Sequence, residues 1–176
     1  MMKILVVFLV TLFPSFSYAW TTEYNSGNHS ELIEVIPIKG IGASNRNEVV
    51  YQIDLGPDLE IGDIIFANAE IQATNELGYL VSVVTQIRVN NTNFVGPSSS
   101  IPGLEITEEN GPNVETTVTH HSVHTKVGTI VVTDPAYRYV SLWVRANSWS
   151  TLFRYGDAIE IDGDYGRLSV LVFSNN

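Results

Sequence analysis

Apolar residues in this chain recur at every second position, and no stretch holds a 3.6-residue period for three turns. This feature restricts the fold more than any other. A period of two is what a strand shows when one face meets a core and the other meets water. In 79–89, Val81, Val83, Ile87 and Val89 share one side, and Ser82, Gln86 and Arg88 the other. In 137–146, Val140, Leu142, Val144 and Ala146 alternate with Tyr139, Ser141, Trp143 and Arg145. In 63–73 the inward set is Ile65, Ala67, Ala69, Ile71 and Ala73.

The same reasoning places strands at Leu32–Ile38, Val49–Leu55, Asp63–Ala73, Tyr79–Val89, Thr116–Val127, Thr129–Thr133, Tyr137–Ala146, Ala158–Ile161 and Arg167–Phe173. Gly, Pro, Asn and Asp punctuate most of the gaps. Asn75-Glu76-Leu77-Gly78 reads as the turn of a hairpin between two long strands, with Gly78 free to adopt positive φ. "VGPSSSIPG", 95–103, reads as a loop, and "DGDYG", 162–166, as a tight acidic turn. "RLSVLVF" is apolar on both sides, which fits a strand central in its sheet or at a subunit contact. Many strands, short turns and no helical period predict an all-β, single-domain antiparallel β-sandwich or jelly roll.

The first residues follow another pattern. Lys3, the apolar run Ile4 to Phe13, Pro14 and Ser17-Tyr18-Ala19 make a secretion signal with cleavage expected after Ala19. A bilayer span needs about 20 apolar residues, and this run is shorter. The expected organisation is a signal peptide over 1–19 and a β-sandwich over 20–176, secreted or periplasmic. There is no cysteine, so neither a disulfide staple nor a cysteine-linked lipid anchor is available. Nine Lys and Arg stand against 19 Asp and Glu, for a formal net charge of −10. That balance repels phosphate backbones and argues against nucleic acid as a partner.

The ending "GDAIEIDGDYGRLSVLVF" resembles the C-terminal end of C1q and tumour-necrosis-factor-like jelly rolls. The matching residues are Gly156, Asp157, Tyr165, Gly166 and Leu168. The resemblance implies a jelly roll that assembles as a trimer and binds a partner without catalysis.

Three of the four histidines, His120, His121 and His124, lie in "VTHHSVHTKV". Zinc needs three or four converging ligands. On a strand, His120 and His124 share a face but stand about 13 Å apart at ~3.3 Å per residue, and His121 points the other way. A helix would bring His120 and His124 together, but the surrounding Val and Thr residues are poor helix formers. The segment is read as a strand without a metal, and these three residues remain the candidates should ligands come from other strands. There is no Gly-x-Ser-x-Gly elbow and no thiol nucleophile. Ser98, Ser99 and Ser100 have no activating neighbour in the sequence. The carboxylate pairs Glu108 with Glu109 and Asp162 with Asp164 carry no acid–base assignment without a spatial separation.

The segment 136–157 holds two of the chain's three tryptophans and three of its eight tyrosines. Tyr137, Tyr139, Trp143 and Arg145 fall on the polar side of the alternation, and Trp149, Phe153, Arg154 and Tyr155 follow in a loop. Outward aromatics beside Arg stack on sugars or anchor a protein partner. The leading reading is therefore a secreted, non-catalytic binding module for a carbohydrate or protein ligand, with Tyr137, Tyr139, Trp143, Arg145 and Trp149 in contact and no cofactor. One alternative is a homo-oligomeric jelly-roll assembly protein. The other is a metal-dependent enzyme using the histidines. Two sequons, Asn28-His29-Ser30 and Asn90-Asn91-Thr92, would accept glycan in a eukaryotic host.

Overall fold

The structure is a computed structural model and describes residues 20–25, 34–39, 47–79, 81–94, 103–107, 120–148, 152, 154 and 156–174. The expected signal peptide, Leu32, the start of the Thr116–Val127 strand, most of the 95–103 loop and Trp149 lie outside these residues. The described elements are all strands: β1 (Trp20–Asn25), β2 (Glu34–Lys39), β3 (Glu48–Asp54), β4 (Ile64–Asn75), β5 (Ser82–Asn90), β6 (Leu104–Glu105), β7 (His120–Val131), β8 (Tyr139–Asn147) and β9 (Ala158–Ser174).

Their pairing is nested. β5 pairs β6, β4 pairs β7, β3 pairs β8, and β1 and β2 pair β9, all antiparallel. The chain is thus one long hairpin wound on itself, which is a jelly roll. Winding divides the strands between two sheets. One runs β7–β4–β9, with β1 and β2 end to end along the far side of β9. The other runs β6–β5–β8–β3. β2 joins both, because Ile38 and Lys39 pair in parallel with Ala146 and Asn147 of β8.

The core lies between the sheets, where the alternating sets meet. Ile65, Ala67, Ala69, Ile71 and Ala73 of β4 are buried, as are Leu168, Val170 and Val172 of β9. Val83, Ile87 and Val89 of β5 and Val140, Leu142, Val144 and Ala146 of β8 face them from the other sheet. The small residues of β4 have a use. Ala67 pairs Gly128 of β7, and a Cβ at Gly128 would overlap the carbonyl oxygen of Ile106. The connection leaving β6 therefore closes one side of the sandwich against a glycine.

Several expectations change in the folded chain. Asn75–Gly78 does not close a hairpin: β4 and β5 belong to different sheets, and the turn is an arch between them. Gly78 still takes φ 71° there, and Asn75 fastens the arch by donating from Nδ2 to the Tyr79 carbonyl at 2.8 Å. The two strands expected on either side of Gly128 are one, β7, which passes through Gly128 without a break over 120–131. Segments 158–161 and 167–173 merge into β9. Residues 162–166 are therefore not a turn. β4 advances only from Glu70 to Gln72 while β9 advances from Arg167 to Asp162, so the extra residues bulge within one continuous strand. β1 and β6 were not anticipated. β9 is central in its sheet, as its two apolar faces require.

Candidate functional site

The aromatic segment does not form the open platform that alternation predicts. Trp143 does lie on the outer face of its sheet, between Gln86 and Val49 on the neighbouring strands. It is nonetheless 0 % exposed. The reason is the chain that follows β5. Phe94 meets the indole edge-on, with ring centroids 5.4 Å apart. Gln52 of β3 pins this cover: its Oε1 accepts from the Phe94 amide at 3.2 Å and from the Ser141 hydroxyl at 2.9 Å. Its Nε2 donates to Asn93. The polar side of β8 is thus a second, smaller core, and Trp143 is unavailable to a ligand.

The other expected residues scatter. Tyr137 packs against the main core. Tyr139 lies beneath the Arg138 guanidinium, 5.3 Å from its centroid. Arg138 donates two hydrogen bonds of 2.6 Å to the Asp54 carboxylate. That fork holds the Asp54 carboxyl below its ordinary range, with help from the Gly56 amide. Arg145 is half-buried. Trp149 is not among the described residues. His120, His121 and His124 lie on β7 opposite Asn75, Thr74 and Ile71 of β4, but their side chains are outside the described residues. Among the described residues no three His, Asp or Glu gather as a metal site. Asn90 of the second sequon is 2 % exposed and its Nδ2 is buried, so a glycan there is incompatible with this packing.

One cleft lies where the β4–β5 arch meets the turn before β9. It measures about 340 Å³ and is lined by Leu77, Tyr79, Leu152, Arg154 and Asp157. Its floor is a structural tie. The Tyr79 hydroxyl donates to Asp157 Oδ2, which also accepts from the Arg154 amide at 2.9 Å. Burial, then the neighbouring carboxylate, push the Tyr79 phenol well above its ordinary range. The Tyr79 hydrogen bond in turn holds the Asp157 carboxyl low.

The surface that stands out is the outer face of the β7–β4–β9 sheet. Val123, Val127 and Val131 of β7 are 61 %, 57 % and 51 % exposed, and Ile64 of β4 is 43 % exposed. Cross-strand pairing sets two apolar rows at one end of this face. Val131 faces Ile64, which faces Phe173; Thr129 faces Phe66, which faces Leu171. Phe66, Leu171 and Phe173 are half-buried. Beyond these rows the partners are polar: Val127 faces Asn68, Thr125 faces Glu70, which pairs with Arg167 at 3.0 Å, and Val123 faces Gln72. The double-sided last strand hinted at it in the sequence. The valine and threonine alternation of 123–131 was also legible in the sequence.

No protein-family model matches the chain, and no curated protein does. Solved structures do. The chain is similar to one from the infectious bursal disease virus VP2 subviral particle, at a TM-score of 0.54 and 12% identity over 89% of this chain. It is similar to one from the T13 particle of the same virus, at 0.56 and 10% over 95%. A Gt-strain structure gives 0.55 and 10% over 98%. At such identities the likeness concerns the fold alone. This chain spans about a third of the length of those chains, 34%, 36% and 38% respectively.

Proposed function

We propose that this chain is a structural jelly-roll protein that assembles with copies of itself, and that it acts as a scaffold without catalysis. One observation carries the reading: the exposed apolar rows on the outer face of the β7–β4–β9 sheet. A contiguous apolar patch rimmed by polar residues is what an association surface presents. The similar virus chains come from a viral particle and a subviral particle. The binding-module reading is weaker, because the cover formed by Phe94 removes Trp143 from the surface. The N-terminal pattern of 1–19 supports export to a secreted or periplasmic location.

Light scattering on the purified mature protein across a concentration series tests the proposal. The expected result is a mass above one chain that falls on dilution. The same measurement tests the trimer implied by the C-terminal resemblance. Ile64→Lys, at an exposed position, is expected to shift the equilibrium toward the single chain without altering the fold. A protein that stays monomeric at every concentration overturns the reading.

A further inference from the structure

We infer that β7 is a docking edge for a second copy of this chain, and that two β7 strands pair antiparallel about a two-fold axis through Val127. The inference rests on the self-assembly reading above and names the contact.

Among the described residues β7 is an edge strand, and Lys126 is the one edge-blunting charge it carries. Among the described residues it pairs only with β4, and it does so over twelve residues without a register shift. Natural edges are blunted by proline, bulges or charge. Residues 120–131 contain no proline and no acid, and Lys126 is the one Lys or Arg.

The direction of its free amides follows from the ladder. Val132, just past the strand, donates its amide to the Asp63 carbonyl at 2.8 Å and accepts from the Gly62 amide at 2.9 Å. Antiparallel pairing alternates, so the amides of Gly128 and Ile130 also turn toward β4. The amides and carbonyls of Val123, Thr125, Val127, Thr129 and Val131 then turn toward the open edge. These are the same five residues whose side chains form the exposed strip.

The strip is a palindrome. Read in either direction from Val127 it runs Val, Thr, Val. In a two-fold antiparallel pair Val127 meets Val127 of the second copy, Thr125 meets Thr129, and Val123 meets Val131. Each is a position where both residues present backbone donors and acceptors to the other strand. Like pairs of β-branched residues are favourable cross-strand partners. On the inner face Lys126 meets Gly128, so the two lysines avoid each other. The absence of acid matters because each copy carries a formal charge of −10. This edge lets two acidic chains approach with no carboxylate in the contact strands. At about 3.4 Å per residue the nine paired residues give a seam about 30 Å long. The seam continues the β7–β4–β9 sheet into that of the second copy and sets the Val131–Ile64 row of one chain beside Val123 of the other.

The chain has no cysteine, so single-cysteine variants of the whole protein read the register directly. Opposed Cα atoms in such a pair stand about 5.5 Å apart, within disulfide reach. Val127→Cys is expected to form a disulfide dimer under mild oxidation. Val123→Cys and Val131→Cys are each expected to remain largely uncross-linked alone and to cross-link when mixed. Val127→Lys opposes two lysines and is expected to abolish the dimer, with an unchanged melting temperature at dilution. A native protein that is monomeric throughout, with no cross-link in any variant, sinks the assembly reading and this pairing together. An oligomer that survives Val127→Lys, or in which Val123→Cys alone cross-links as well as Val127→Cys, overturns the pairing and leaves assembly through another surface. A closed trimer also overturns it, since a two-fold contact leaves one edge unused.

Discussion

Gly166 of β9 sits against the Tyr51 hydroxyl of β3, across the sandwich, so closely that a Cβ at 166 would overlap the phenolic oxygen and the ring edge. Tyr51 is buried at 4 % exposure, so its ring has little room to withdraw. The two residues set the distance between the sheets where β9 bulges.

Gly166→Ala is therefore expected to destabilise the protein by about 1–3 kcal/mol, as overpacking of a filled core does. Adding Tyr51→Phe should recover part of that loss by removing the closest atom. Urea denaturation of both variants measures it. A Gly166→Ala protein with the native midpoint would show that the ring swings aside.

Trp143 is expected to behave as a core residue. Trp143→Ala should cost about 3–5 kcal/mol, the range for removing a buried large aromatic. Phe94→Ala should cost less and should expose the indole to acrylamide quenching. An unchanged denaturation midpoint for Trp143→Ala would place the side chain at the surface.

The Tyr79–Asp157 tie predicts how stability responds to pH. The Tyr79 hydrogen bond and the Arg154 amide lower the folded-state pKa of Asp157 from 3.8. Its contribution is complete above that value and is lost as pH falls below it through the lower folded value. Tyr79 is raised from 10.0 by burial and by Asp157. Its contribution is complete below that value and is lost as pH rises above it. Melting temperatures should drop at both ends. Asp157→Asn should flatten the acid limb, and Tyr79→Phe the alkaline one. Variants whose limbs match the native protein would dissociate this tie from the pH response.

His120 and His124 are four residues apart on β7, so about 13 Å separates them along the strand at ~3.3 Å per residue. Tag-free protein is expected to carry no stoichiometric zinc, copper or iron, and a chelator should leave its melting temperature unchanged. One equivalent of metal lost on His124→Ala would contradict this.

The alternation of Ile65 to Ala73, Val81 to Val89 and Val140 to Ala146 was enough to predict those three strands, their inward faces and an all-β sandwich. Period is a local property, set by which side of a strand each side chain takes. Pairing is not local. The sequence could not say that the Asn75–Gly78 turn crosses between sheets, or that 162–166 bulges within a strand, because each depends on a distant partner's register. It placed Trp143 on the correct face of β8 and still missed its burial, since Phe94, from the chain after β5, covers it and is held by Gln52 of β3. The apolar strip of β7 is likewise written in residues 123–131. Only the tertiary structure made it an edge, since among the described residues β7 pairs with β4 alone.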